Sequence, residues 1–329
     1  MKKRVLITGG SGFVGYHLIE AALRHGLDVH VAVRKSSNTG HLKHFAVHYV
    51  YPDFLNAEHL KELLEAGNYE YIIHAAGITK AKLPEAYFTI NAEYTNNLAI
   101  AAMEANIPLR KFVFISSLAA LGPAAPGTEQ ITEKTIPAPV TNYGKSKLKA
   151  EQYLAKVKDL PLIVFRPTAV YGPRERDIFI MFRTIKKRFE PYIGNTPQQL
   201  SFIYAKDLAE IVIAGMLTKD KYNSYNVSDG NSYDRYALAD ISKDVLRIKT
   251  LKVHLPLSIV NAVVGLLEMI YARGKDVPTL NKEKLTELQA TNWICSTELL
   301  RKDLGVTPAY DLRAGIKETL EWYQSNKWL

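Results

Sequence analysis

The chain has 329 residues, with 42 Lys and Arg against 33 Asp and Glu and a formal charge of +9. That length exceeds one compact core, so a main domain with a smaller lobe is the expected division. A single cysteine, Cys295, excludes an internal disulfide, and Met1-Lys2-Lys3-Arg4 runs into a strand without a signal-like apolar stretch, so a reducing, cytoplasmic setting is expected. The basic excess suits an anionic small ligand or nucleic acid and does not choose between them. The densest cluster, Lys186-Lys187-Arg188, reads as a solvated helix face because few aromatic residues interleave it, so no nucleic-acid partner is expected.

The first element is the strand at 4–8, with Val5-Leu6-Ile7, followed by Thr8-Gly9-Gly10-Ser11-Gly12-Phe13-Val14-Gly15 and then by Leu18, Ile19, Ala22 and Leu23 at helical spacing. A strand turning tightly into a helix through three spaced glycines is a dinucleotide cradle. Gly9 permits the turn, Gly12 removes a side chain where pyrophosphate approaches, and Gly15 lets helix and strand pack closely. Further strands read at 29–33, 47–51, 71–74, 112–116 and 162–165, alternating with helices such as 57–65, 85–105 and 143–157. The alternation predicts an α/β fold, a Rossmann-type doubly wound parallel sheet. Ligands in such sheets lie beyond the carboxyl ends of the strands, where the glycine turn, Ser116-Ser117 and Arg166-Pro167 all fall.

An acid about 20 residues past the glycines commonly holds the adenosine ribose. No Asp or Glu occurs between Asp28 and Asp53, and Arg34-Lys35 stands at the carboxyl end of the second strand instead. A guanidinium there suits a 2′-phosphate, which predicts NADP(H) over NAD(H).

Farther on, Tyr143 and Lys147 are four residues apart on a predicted helix and share a face. A phenol beside an ammonium and a positive nicotinamide ring is driven toward phenolate. Tyr143 is therefore the expected acid/base, Lys147 its partner and ribose ligand, and Ser117 a hydrogen-bond donor to the substrate oxygen. Thr79, Lys80, Ser117, Ala119, Arg174 and Tyr204 are the expected substrate contacts.

Residues 1–170 form the expected dinucleotide domain, with 201–227 returning to it and 171–329 mostly a substrate-binding lobe. Within the lobe a strand is predicted near 202–204 and helices near 207–217 and 235–247. The segment 255–272 is apolar except for Pro256, Ser258, Asn261 and Glu268. Glu268 and Pro256 disfavour a spanning helix, and it reads as a pocket wall, with interfacial contact with a membrane or partner as the other reading. The histidines show no ligand-like grouping, so no metal site is expected, and His74 is expected to pack beside the cofactor.

Taken together, these motifs resemble those of the extended short-chain dehydrogenase/reductases, the NAD-dependent epimerase/dehydratase family, over essentially the whole chain. The resemblance implies that Asp53-Phe54 lies along the adenine, and that His74-Ala75-Ala76-Gly77 runs beside the cofactor. It also implies that Asn91 opens the family's long helix, that Ser117, Tyr143 and Lys147 form the catalytic triad, and that Pro167 and Val170 lie beside the nicotinamide. A homodimer through the helices at 85–105 and 143–157 is implied as well. Two departures stand out: Tyr94 replaces a usually small residue, and Leu118-Ala119-Ala120 lacks the acidic pair used for 4,6-dehydration of nucleotide sugars. Net oxidoreduction of an apolar-bodied alcohol or carbonyl is the leading expectation. A nucleotide-sugar epimerase with retained cofactor is the alternative, suggested by Glu151 and by Arg174, Arg176 and Arg183. A cofactor-sensing or RNA-binding regulator is a third reading, disfavoured by the intact triad.

Overall fold

Short β-branched runs and amphipathic helices alternate as far as residue 167. The computed structural model describes residues 2–219, 223–272, 274 and 277–329. In chain order it gives β1 (Arg4–Thr8), α1 (Phe13–Arg24), β2 (Asp28–Ala32), β3 (His48–Val50), α2 (Ala57–Gly67) and β4 (Tyr71–His74). Next come α3 (Pro84–Phe88), α4 (Tyr94–Glu104), β5 (Lys111–Ile115), α5 (Asn142–Leu154) and β6 (Leu162–Pro167). A stretch of small elements follows: β7 (Ala169–Tyr171), α6 (Asp177–Lys186), β8 (Phe189–Ile193), β9 (Gln199–Leu200) and β10 (Phe202–Tyr204). Then α7 (Ala205–Leu217) and β11 (Ser224–Val227) return to the main layer.

Seven strands form one sheet in the order β11-β6-β5-β4-β1-β2-β3, every pair parallel. A parallel sheet is covered on both faces, so its strands read as unbroken apolar runs. Val5, Leu6 and Ile7 accordingly have at most 1% of their surface exposed. Val5 and Ile7 pack with α1 and α7 on one face, while Leu6 packs with α2, α4 and α5 on the other. The strand order reverses between β1 and β4, which opens a crevice at their carboxyl ends.

The expected single helix over 85–105 is interrupted. A π turn at Thr89–Glu93 joins α3 to α4, and the buried Asn91 inside it bonds outward to Ile78. An inserted wide turn of this kind re-aims side chains locally, a geometry that a 3.6-residue periodicity cannot announce.

The lobe is completed by β12 (Tyr233–Asp234), α8 (Ala237–Leu246), β13 (Leu251–Leu255), α9 (Leu257–Tyr271), α10 (Lys282–Gln289), α11 (Glu298–Leu304) and α12 (Leu312–Ser325). Its strands form three two-stranded pairs, β7 with β10, β9 with β12 and β8 with β13. An aromatic core of Tyr171, Phe182, Phe202, Tyr204 and Tyr323 holds α6 and α12 together. No helix among the described residues is long and apolar enough to cross a membrane.

Candidate active site

The glycine turn fits a dinucleotide for reasons of space. Gly9 has φ +71°, and a Cβ there would stand 2.6 Å from the Ala75 carbonyl oxygen, so only glycine lets the turn rest against the segment after β4. At Gly15 a Cβ would fall 2.2 Å from the Gly9 oxygen. The helix α1 starts at Gly12 with no side-chain cap, leaving its first N–H groups toward the cleft. A turn free of side chains at Gly9, Gly12 and Gly15 and ending in uncapped amides has the space and the donors that a pyrophosphate needs.

Around it lies a cleft of about 1560 Å³, room for a dinucleotide and a substrate. Gly9, Gly12, Phe13, Val14, Gly15, Arg34, Asp53, Phe54, Ala75, Ala76, Gly77, Pro167 and Val170 all line it. Phe54 stacks on Tyr94 at 5.5 Å with planes 9° apart, so the departure at Tyr94 builds part of the wall where an adenine would lie. His74 is fully buried and bridges Thr8 and Thr95 through its two ring nitrogens, at 2.8 and 2.9 Å. Burial lowers its pKa to about 3, which keeps it neutral and structural.

On the far side of the cleft, Thr141 caps α5 through Gly144 N–H at 3.1 Å, and the Glu283 carboxylate of α10 accepts from Asn142 N–H at 2.9 Å and from Asn142 Nδ2 at 2.7 Å. A carboxylate at a helix N-terminus meets the positive end of its dipole. The lobe therefore anchors the helix that carries Tyr143 and Lys147. Glu283 and Asn281, both lining the cleft, lie some 140 residues from that helix, and no spacing in the sequence signals them.

Lys147 is 4% exposed and donates to the Ile115 carbonyl at 2.9 Å. Burial lowers its pKa to about 8, against an upward pull from Glu151 one turn along. Asn91 braces this point, since its Oδ1 accepts from Ile78 N–H and its Nδ2 donates to Ser146 Oγ. Glu151 forms a buried ion pair with Arg166 at 2.6 Å and accepts from Ser116 Oγ at 2.5 Å.

Tyr143 departs from the sequence expectation. Burial pushes its phenol up to about 12, and a hydrogen bond to Ser117 pulls in the opposite direction. The Lys147 ammonium donates to the Ile115 carbonyl. Spacing put the two residues on one helix face; the backbone acceptor that takes the ammonium comes from β5. Raised in this way, the Tyr143 phenol keeps its proton, with Ser117 as its hydrogen-bond partner.

Of the expected substrate contacts, Thr79, Lys80, Ser117 and Arg174 line the cleft, and two do not. Tyr204 is fully buried in the lobe core against Tyr171 and Tyr310, because β10 pairs with β7 and turns that side chain inward. Ala119 sits in a short 3₁₀ turn behind Ser117, where its carbonyl packs against Gly144. Arg174 lies over the Tyr16 ring at 4.1 Å and lowers the pKa of His41 together with burial, so it flanks α1 and the segment after β2. Lys80 pairs with Asp177 at 2.6 Å, tying the segment after β4 to α6. Arg183 is not among the lining residues.

The histidines do form one grouping that spacing concealed. Pairing of β2 with β3 places His30 beside His48, and Asp28 joins them with ligand atoms within 4.8 Å of one another. Arg4 already pairs with Asp28 at 2.9 Å, which makes this a charge-satisfied sheet edge.

The family model for the NAD-dependent epimerase/dehydratase family matches residues 5–228. The chain belongs to this family. It is similar to the ceramide reductase of Caulobacter vibrioides, with 25% identity over 99% of this chain and 96% of the relative. It is likewise similar to the decarboxylating sterol-4-alpha-carboxylate 3-dehydrogenase of Dictyostelium discoideum, at 24% over 96% and 99%. Among solved structures, the Bordetella bronchiseptica enzyme WbmG in complex with NAD superposes with a TM-score of 0.77 at 21% identity, covering 99% of this chain and 95% of that one. The fold is thus that of the epimerase/dehydratase enzymes, and membership of the family makes this chain an enzyme of nicotinamide-dinucleotide chemistry.

Proposed function

We propose that the chain is an NADP(H)-linked reductase or dehydrogenase acting on a carbonyl or secondary alcohol of an apolar-bodied substrate. The observation that carries this reading is the meeting of Ser117, Tyr143 and Lys147 in one cleft with the glycine turn. Bound nicotinamide would supply or accept the hydride. Tyr143 donates its proton to the substrate oxygen in reduction and recovers it in oxidation, while Ser117 hydrogen-bonds the same oxygen and fixes the phenol. Lys147, held at Ile115, would turn toward the nicotinamide ribose. Arg34, Lys35 and Asn38 line the cleft after β2 with no carboxylate among them, which supports a 2′-phosphate. Arg174, beside Tyr16 and His41, adds to that positive field and serves the nucleotide half of the cleft.

The names of the ceramide and sterol relatives support an apolar substrate body. The second reading, an epimerase that retains its cofactor, is favoured by Arg176 beside Arg174 in the lining and weakened by Arg183 lying away from it. A homodimer through α4 and α5 is part of the proposal, with Ile100 and Met103 partly exposed there. The test is NADPH oxidation by the purified enzyme with long-chain and steroidal ketones. Tyr143→Phe should lower kcat by about 10³ and leave NADPH affinity intact; nucleotide released only on denaturation, with no net reduction of any ketone, would favour the epimerase.

A further inference from the structure

Helix α9 holds itself to the lobe by one stripe only. Val260 and Val264 are buried against Ile193, Leu255, Leu280 and Leu285. An adjoining face carries Ile259, Val263, Leu266 and Ile270 at i, i+4, i+7 and i+11, exposed by 52, 45, 56 and 62%, with Met269 beside them at 72%. Contiguous apolar surface of this kind marks an interaction site. This face is aliphatic apart from the Met269 thioether and carries no Arg or Trp; the aromatic residue of α9, Tyr271, stands at its end and is 38% exposed.

No residue of 255–272 lines the cleft, so the pocket wall expected there is not formed; the far end of α9 instead meets the segment after β4. Lys82 donates to the carbonyls of Tyr271 at 2.8 Å and Ala272 at 3.2 Å, and to that of Gly274. Its neighbour Leu83 is 65% exposed. Two residues earlier, Lys80 lines the cleft and contacts Thr279, another lining residue. Cations gather at this end, with Lys82 on the helix terminus and Lys282, 79% exposed at its side chain, paired with Glu268, the single charged residue of α9. Fifteen residues span roughly 22 Å, short of a hydrocarbon core of about 30 Å, so the helix suits a position along a surface.

We infer that α9 docks the enzyme on an anionic lipid bilayer, its aliphatic face entering the acyl boundary and its basic end meeting the headgroups, with the cleft mouth held at the membrane. Docking goes beyond the hydride-transfer reading; only the corollary that the bilayer delivers an amphiphilic substrate rests on it. Interfacial helices combine such an apolar face with flanking cations in this way.

The test is cosedimentation of the full chain with phosphatidylcholine vesicles, with and without one part in about three of phosphatidylglycerol. Wild type should pellet with the anionic vesicles and lose binding without phosphatidylglycerol or at high salt. Leu266→Glu with Ile270→Glu should cut the partition coefficient by at least about tenfold, as should the Ser pair at the same positions, while NADPH binding and melting temperature stay unchanged. Absence of wild-type binding, or equal binding by the variants, overturns the inference. So does a dimer that becomes monomeric in the Glu pair without any vesicle binding, which would give the face to a second copy. Because vesicle binding is read without turnover, its failure is distinguishable from failure of the catalytic reading.

Discussion

Replacing Lys147 by Met should stabilise the nucleotide-free protein at pH 7 while abolishing turnover. Burial lowers this amine from 10.5 to about 8, and with 4% exposure the side chain has little solvent to screen it. At about 1.4 kcal/mol per unit, keeping it charged in the folded state costs about 3 kcal/mol. The Ile115 carbonyl loses its donor in the variant, which costs about 1 kcal/mol. The net expectation is a variant more stable by about 2 kcal/mol at pH 7. The sign with pH follows from proton binding: between pH 8 and 10.5 the unfolded chain holds the proton and the folded chain does not, so wild-type stability rises through that window. The gap between variant and wild type should therefore close, then reverse slightly, by about pH 10.5. Urea unfolding of both proteins across pH 7–10.5 reads this directly. A variant less stable at pH 7, or a gap independent of pH, would refute the assignment of Lys147 as a buried, strained cation retained for function.

Three further outcomes follow from the same geometry. Gly9→Ala places a Cβ 2.6 Å from the Ala75 oxygen at φ +71° and should cost at least about 2 kcal/mol, with nucleotide affinity lost, by thermal melting and NADPH titration. Glu151→Gln leaves Arg166 buried without its carboxylate and should cost about 3 kcal/mol in urea unfolding; removing its upward pull should also move the Lys147 pKa further below 8, seen as an earlier recovery of stability with pH. Arg34→Ala should reduce the NADPH-over-NADH affinity ratio by tenfold or more, and an unchanged ratio would remove Arg34 from the phosphate site.

Much of the fold was legible because its signals are local. Val5-Leu6-Ile7 running into Gly9, Gly12 and Gly15 specifies a strand, a turn and an uncapped helix within twelve residues, and the lining of the cleft by all three glycines follows from that turn. Tyr143 and Lys147 share a helix face by periodicity alone. The Ser117 partner came from its place at the end of a strand.

What spacing could not carry was decided by contacts between distant segments. Tyr204 reads as a residue at a strand end facing the ligand, yet pairing of β10 with β7 and the closure of α12 bury it. Glu283 holds the helix that carries Tyr143 and Lys147 from across 140 residues, and the β2–β3 register assembles Asp28, His30 and His48. The Tyr143 phenol is raised by desolvation, which depends on what surrounds the ring and not on its neighbours in sequence. By itself, then, the sequence determined the alternation of strands and helices, the glycine turn and the candidate side chains of the site, since each is written in residues one turn or one strand apart. Tertiary structure alone decided which face each side chain meets, how far its proton affinity moves and which aliphatic helix is left turned to the outside, because burial is a property of the whole assembled surface.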